Sequence, residues 1–283
     1  MAAAGDSPSW QVTRGVLRLD RPWVMGIVNV TPDSFSDGGR HDDAAKALAH
    51  CEQLVLQGVD ILDIGGESTR PGAQALAPQQ ELARILPVLK GALTLGVPVS
   101  VDTSRAWVMQ QALDLGVDIV NDVRALRQAD ALAAVRGHPS CGLCLMHMRG
   151  EPSTMASLAV YADVVNEVRE ALLLRLAEIC AAGIAAQRVV LDPGIGFAKT
   201  ASHNLQLLAR QHELCALPRP LLVGWSRKGT LGQITGRAVH DRLAASVAAA
   251  VLAVERGARI VRVHDVAPTV DALKLWRAAT LAG

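Results

Sequence analysis

The sequence predicts an α/β fold, a (β/α)8 TIM barrel, and two observations carry that expectation. A short pattern recurs: a glycine closes a helical stretch, a β-branched run follows, and a polar residue ends the run. Gly58 to Gly65 and Gly116 to Val123 are near copies of it. The runs are continuously apolar, as parallel strands covered on both faces must be. Alternating β/α units of roughly 35 residues make a barrel; an open doubly wound sheet is the alternative.

The elements read in order. Gln11 to Asp20, with Arg14-Gly15 as its turn, predicts a small hairpin. Trp23 to Val30 is the first barrel strand. Asp42 reads as an N-cap, with Ala47, Leu48, Cys51, Leu54 and Val55 on one helix face and Gly58 as the stop. Strands follow at Gly58 to Gly65, Val97 to Thr103 after Gly96, Gly116 to Val123 and Gly142 to Met148. Arg188 to Asp192, Pro220 to Ser226 and Arg259 to Asp265 complete the eight. Asp241 to Gly257 is a helix, and Pro268 suits the first turn of a last one. Thr31 to His41, rich in Pro, Asp, Ser and Gly, reads as a mobile loop, and Thr69 to Pro78 reads as a second one. Residues 1–14 are a tail and the start of the hairpin, and 15–283 form one domain.

The 28 Lys plus Arg against 27 Asp plus Glu give a net charge of +1, which argues against nucleic acid or an anionic membrane as partner. No apolar run reaches the roughly 20 residues of a membrane helix. The N-terminus lacks the order of a signal peptide, so the expectation is a soluble, cytoplasmic protein. The five cysteines are expected to be reduced and mostly buried.

Every candidate strand ends in a polar residue. Asn29, Glu67, Asp102, Asn121, His147, Asp192, Ser226 to Lys228 and Arg262 to His264 therefore converge on the C-terminal rim, where barrels of this kind hold their sites. Alternation puts Arg262 and His264 on the inner face if Val261 and Val263 face the helices. Inward Asp102 and Asp192 imply salt bridges or a ligand rich in N–H donors; a structural pair of Asp192 with Lys228 is the competing reading. Asn29, Arg70, Arg262 and His264 are suited to a phosphate. Phe35 and Phe197, the only phenylalanines, sit in loops where they can stack on a flat substrate or anchor the loops. Cys141, Cys144 and His147 have a metal-like spacing, but lie in a strand, where residues three apart face opposite ways.

Met25-Gly-Ile-Val-Asn-Val-Thr-Pro-Asp-Ser-Phe-Ser-Asp-Gly-Gly39 and Asp63-Ile-Gly-Gly-Glu-Ser-Thr-Arg-Pro-Gly72 resemble the two signatures of dihydropteroate synthases. Ser100 to Thr103, Asn121-Asp122, Leu145 to Met148, Leu191 to Gly194, Ser226 to Lys228 and Ile260 to Asp265 follow in that family's order. The resemblance implies condensation of 6-hydroxymethyl-7,8-dihydropterin pyrophosphate with p-aminobenzoate to 7,8-dihydropteroate, and a homodimer that is a sulfonamide target. It implies that Asp102, Asn121, Met146, Asp192, Lys228 and Arg262 bind the pterin, and Asn29, Arg70, Arg262 and His264 the pyrophosphate. Asn29 is the implied ligand of Mg2+. Phe35, Thr69, Pro71, Phe197, Lys228 and Gly229 form the implied p-aminobenzoate pocket. Asp102, Lys228, Arg262, His264 and Arg70 are the expected catalytic set. Gly229 departs from the family's usual Ser, Trp225 from a smaller apolar residue and Ile195 from Phe. A pterin-binding module of corrinoid methyl transfer and a weakened paralogue are the rival readings.

Overall fold

The computed structural model describes residues 8–31, 40–67, 76–151 and 154–282. Two antiparallel strands, β1 (Ser9–Val12) and β2 (Gly15–Arg18), form the N-terminal hairpin. Eight parallel strands follow: β3 (Trp23–Asn29), β4 (Ile61–Gly65), β5 (Val99–Asp102), β6 (Ile119–Asp122), β7 (Gly142–Met146), β8 (Val189–Asp192), β9 (Leu222–Val223) and β10 (Ile260–Val263). Their order is β8-β7-β6-β5-β4-β3-β10-β9, and a parallel bridge from Leu191 to Leu221 brings the two edges together. This is the TIM barrel that the sequence predicts.

Helices cover the outside. They are α1 (Arg40–Leu56), α2 (Pro78–Ala92), α3 (Ala106–Asp114), α4 (Ala131–Arg136), α5 (Val164–Ala181), α6 (Ala201–Ala209), α7 (Gln211–Leu214), α8 (Gly229–Thr235), α9 (Leu243–Glu255) and α10 (Val266–Ala282). Gly58, Gly96, Gly116, Gly183 and Gly257, before their strands, all have φ between +83° and +97°. A Cβ would strain that conformation, which is why glycine stands there.

Most strands are shorter than the expected runs, and two further differences concern α1 and β9. Helix α1 begins at Arg40, so Asp42 lies inside its first turn and is not its N-cap. Strand β9 keeps only Leu222–Val223 of the expected Pro220 to Ser226, because the chain leaves the sheet through Gly224 before the rim.

The core has two layers. Between strands and helices lie the outward residues, among them Val28, Ile64, Val101, Val120, Leu143, Leu191 and Val261. Inside the barrel lie Met25, Ile61, Ile119, Cys144, Val190, Leu222 and Ile260. The hairpin closes the bottom of that inner layer with Trp10, Val12, Leu17 and Leu19. Trp10 is fully buried, and its indole N–H donates to the Arg188 carbonyl at 2.9 Å. A Cβ at Gly142 would sit 2.8 Å from Val12 Cγ1, so this position must be glycine for the plug to seat. Arg14 and Asp118 tie the hairpin turn to the barrel at 2.8 Å.

Cys51, Cys141 and Cys144 are buried, whereas Cys180 and Cys215 are exposed. Cys141 belongs to the outer layer and Cys144 to the inner one, so the two thiols face opposite ways. Among the described residues no helix is long and apolar enough to cross a membrane.

Candidate active site

The period of two along each strand carries the inner apolar layer into a polar rim. Ile61 leads to Asp63, Ser100 to Asp102, Ile119 to Asn121, Cys144 to Met146, Val190 to Asp192 and Ile260 to Arg262. Successive side chains of a strand point to opposite faces, so each rim residue inherits the inward direction of the residue two before it. Asn29 lies on the same face as Met25 at the end of β3, opposite Gly65 in the register.

An acidic and amide network fills one side of the mouth. Arg262 donates from Nε to Asp63 at 2.6 Å and from Nη2 to Asp102 at 2.6 Å. Asn121 donates from its amide to the same Asp63 oxygen at 3.1 Å. Asp63 is fully buried, and its Oδ1 has no hydrogen-bond partner among the described residues. Burial pushes the Asp102 carboxyl up to about 7, against the pull of Arg262. Against the opposing effect of burial, Asp63 and Asp102, with Asp192 behind them, hold the Arg262 guanidinium above its ordinary range.

The opposite side is built on the segment after β8. Asp192 accepts the Gly194 N–H on Oδ1 at 2.7 Å, and burial raises its pKa. Gly194 has φ +69°, and a Cβ there would collide with the His147 carbonyl oxygen. Lys228 Nζ stands 4.2 Å from the Phe197 ring centroid, a cation–π contact. Burial lowers the Lys228 pKa to about 8, with Asp192 opposing. Asp192 and Lys228 attract each other without a hydrogen bond or close ion pair between them among the described residues.

His264 completes the rim. Its backbone N–H donates to Ser226 Oγ at 3.1 Å, and its Nδ1 lies 3.0 Å from the same hydroxyl. Burial and the nearby Arg262 lower its pKa to about 3, so the ring is neutral at pH 7. One ring nitrogen carries the proton, and in the tautomer where the Ser226 hydroxyl donates to Nδ1 that nitrogen is Nε2.

A family model described as "Pterin binding enzyme" matches residues 25–264. The dihydropteroate synthase of Neisseria meningitidis serogroup B is 53% identical over 275 residues, covering 95% of this chain and 96% of that protein. The chain belongs to the dihydropteroate synthase family. The Xanthomonas albilineans dihydropteroate synthase, solved with 4-aminobenzoic acid, superposes with a TM-score of 0.90 at 48% identity, covering 96% of this chain and 98% of the other. The Burkholderia cenocepacia dihydropteroate synthase complexed with 7,8-dihydropteroate gives 0.89 at 46% identity, covering 97% of both chains.

Set on the dihydropteroate synthase fold, the expected residues Asp102, Asn121, Met146, Asp192, Lys228, Arg262 and His264 come together at one mouth, with Asn29 on the same rim. Phe197 joins them through Lys228, and Gly229 is the first residue of α8. Phe35, Thr69, Arg70 and Pro71 lie outside the described residues. His147 does not open onto the mouth: its Nδ1 is 2.9 Å from the buried Lys199 ammonium. Trp225 and Ile195, two of the three departures from the family pattern, are buried in the outer layer between strands and helices. Asp63 is the site residue that sequence reasoning misses. Its signal is a charge inside an otherwise apolar run, two residues before Gly65.

Proposed function

We propose that the chain condenses 6-hydroxymethyl-7,8-dihydropterin pyrophosphate with p-aminobenzoate, giving 7,8-dihydropteroate and pyrophosphate. The observation that carries this reading is the set of inward acceptors and donors at one mouth. Asp102, Asn121 and Asp192 match a ring edge rich in N–H groups, and Lys228 matches its carbonyl. Buried polar groups of this kind select a ligand that pairs them all, since each unpaired one costs about 1–3 kcal/mol.

In the reaction the bond from the pterin methylene carbon to the pyrophosphate oxygen breaks, and the electron pair leaves with pyrophosphate. The electron-rich dihydropterin spreads the positive charge at that carbon. Asp102 and Asp192 favour that electron-poor ring. The aniline nitrogen of p-aminobenzoate then bonds to the carbon and gives up its proton, acidic once the bond forms, to the released pyrophosphate or to water. Arg262 and the neutral His264 hold the leaving group together with Arg70, the set that the family resemblance implies. Phe197 and Lys228 form one wall of the p-aminobenzoate pocket.

Mg2+ belongs to the same reading. The described residues hold no cluster of three or more His, Cys, Asp or Glu that could cage a metal. A single hard oxygen from Asn29 suits an ion carried mainly by pyrophosphate and water, which is the habit of Mg2+. When bound it neutralises charge on the leaving pyrophosphate. A single barrel domain, a cytoplasmic homodimer and competition by sulfonamides for the p-aminobenzoate pocket complete the proposal.

The test is a pyrophosphate-release assay with both substrates and Mg2+. Dihydropteroate formation that stops in excess chelator supports the reading. Full activity in chelator removes the metal, and methyl transfer to a corrinoid partner without condensation removes the reaction.

A further inference from the structure

Lys199 lies behind the site, buried to nine-tenths, on the segment between β8 and α6. Its ammonium is 2.9 Å from His147 Nδ1 and donates to the carbonyls of Gly194 at 3.0 Å and Phe197 at 3.0 Å, with the His147 carbonyl at 3.4 Å. Among the described residues no carboxylate lies within ion-pair distance of it. Burial lowers the Lys199 pKa to about 7, with Asp192 opposing, so close hydrogen-bond partners rather than a paired carboxylate hold the amino group. Two of those four partners are backbone oxygens of one loop, and the other two belong to His147.

That loop is strained. Gly194 at +69° and Gly196 at +81° are glycines, but Ala198 stands at φ +49° with a Cβ. A non-glycine residue keeps such a conformation only where its surroundings over-determine it. The loop touches the site at both ends. Gly194 N–H donates to Asp192 at 2.7 Å, and the Phe197 ring lies against Lys228 at 4.2 Å. At its middle, Gly196 N–H donates to Asn204 at 2.9 Å, which holds Thr230 of α8 at 2.9 Å. The Asp192 end is tied by its own carboxylate, whereas the Phe197 carbonyl accepts from Lys199. The His147 ring, held neutral by burial, offers Nδ1 as an acceptor.

We propose that Lys199 is a positioning residue: its buried ammonium gathers the Gly194 and Phe197 carbonyls and so fixes the Phe197 ring against Lys228, setting the p-aminobenzoate wall of the site. The link to p-aminobenzoate rests on the function proposed above; the hold on the loop does not. Lys199 touches no substrate and acts only through Phe197.

The experiment joins kinetics with hydrogen exchange on the substrate-free protein. Lys199→Met keeps an unbranched side chain, one atom shorter, and removes every donor. Amides of residues 194–198 should exchange at least tenfold faster than in the wild type, with β6 and β7 unchanged. In steady state the KM for p-aminobenzoate should rise about tenfold while pterin affinity, by calorimetry, changes less than threefold. The effect should disappear when K199M is added to Phe197→Ala, since the ring it positions is then gone. Wild-type exchange at 194–198 overturns the hold on the loop, whatever reaction the wild type performs. Equal losses for both substrates, or an additive double variant, overturn the action through Phe197. If K199M does not fold, Lys199→Arg carries the same three readouts: its planar fork cannot gather the carbonyls as a tetrahedral ammonium does, and wild-type values for it overturn the proposal. A wild type that forms no dihydropteroate, with loop exchange still raised in the variant, sinks the proposed reaction and leaves the role of Lys199 in the loop supported.

Discussion

Arg262 Nε lies 2.6 Å from Asp63 Oδ2, a charge-assisted hydrogen bond across the barrel mouth to a carboxylate that solvent does not reach. The same oxygen accepts from Asn121, so one buried carboxylate orients two of the groups expected to read the pterin. Asp63 therefore works on the ligand through its neighbours.

Asp63→Asn is expected to weaken pterin binding tenfold or more in a folded protein. A charge-assisted bond of this kind contributes about 1.5–3 kcal/mol, and an amide in its place cannot neutralise Arg262. Calorimetric titration of the variant with a pterin decides it, and wild-type affinity would show that Arg262 and Asn121 are held well enough without the charge.

Asp192→Ala is expected to abolish pterin binding while the fold survives. The carboxylate makes one bond to Gly194 N–H and no ion pair with Lys228 among the described residues, so its second oxygen is available to the ligand. Loss of charged hydrogen bonds at roughly 1.5–3 kcal/mol each weakens binding by one or more orders of magnitude. Pterin affinity measured on protein with a native circular dichroism spectrum tests this; an unchanged value rejects the assignment.

Gly229→Ser is expected to lower the KM for p-aminobenzoate by up to about tenfold, and sulfonamide inhibition constants with it, equivalent to about 1.4 kcal/mol. A Cβ at Gly229 meets nothing within 4 Å, so the serine fits without strain. Arg227 does not stand in for the missing hydroxyl: Asp265 binds its guanidinium at 3.1 and 2.6 Å. Steady-state kinetics at saturating pterin settles the matter, an unchanged or higher KM meaning that the hydroxyl is not missed.

Glu81 of α2 is fully buried, and neither of its carboxylate oxygens has a hydrogen-bond partner among the described residues. Burial raises its pKa from 4.5 to about 7. The folded protein thus binds this proton more tightly than the unfolded chain. Its contribution to stability is whole below pH 4.5 and is lost as the pH rises to about 7. Glu81→Gln removes the ionisation, so it should stabilise the protein at pH 8 by on the order of 1–3 kcal/mol and by little at pH 4. Urea unfolding at the two pH values measures the difference, and a variant less stable at pH 8 would refute it.

Trp10→Ala is expected to cost about 3–5 kcal/mol of stability, the usual cost of emptying a buried aromatic site. The plug is at the end of the barrel opposite the polar rim, so substrate KM values should hold at a temperature where the variant is folded. A shift in the KM for either substrate would show that the bottom of the barrel is coupled to its mouth.

Much of the molecule is legible in the chain. Glycines before β-branched runs mark the strand starts, because only glycine takes a positive φ at no steric cost. The period of two by itself places Asp102, Asp192, Arg262 and His264 on the faces that prove to be inward, and the signature residues point to the family. Strand length at β9 and the start of α1 are not legible, since local patterns do not say where a neighbouring strand stops offering hydrogen bonds. Tertiary structure alone decides who meets whom across the mouth. Arg262 and Asp63 are 199 residues apart in the chain, and closure of the barrel brings them together. Packing of the segment after β8 against the end of β7 sets His147 beside Lys199, and Trp225 is buried behind the strands. Sequence determines the direction in which a side chain leaves its strand; only the closed sheet determines what stands opposite it.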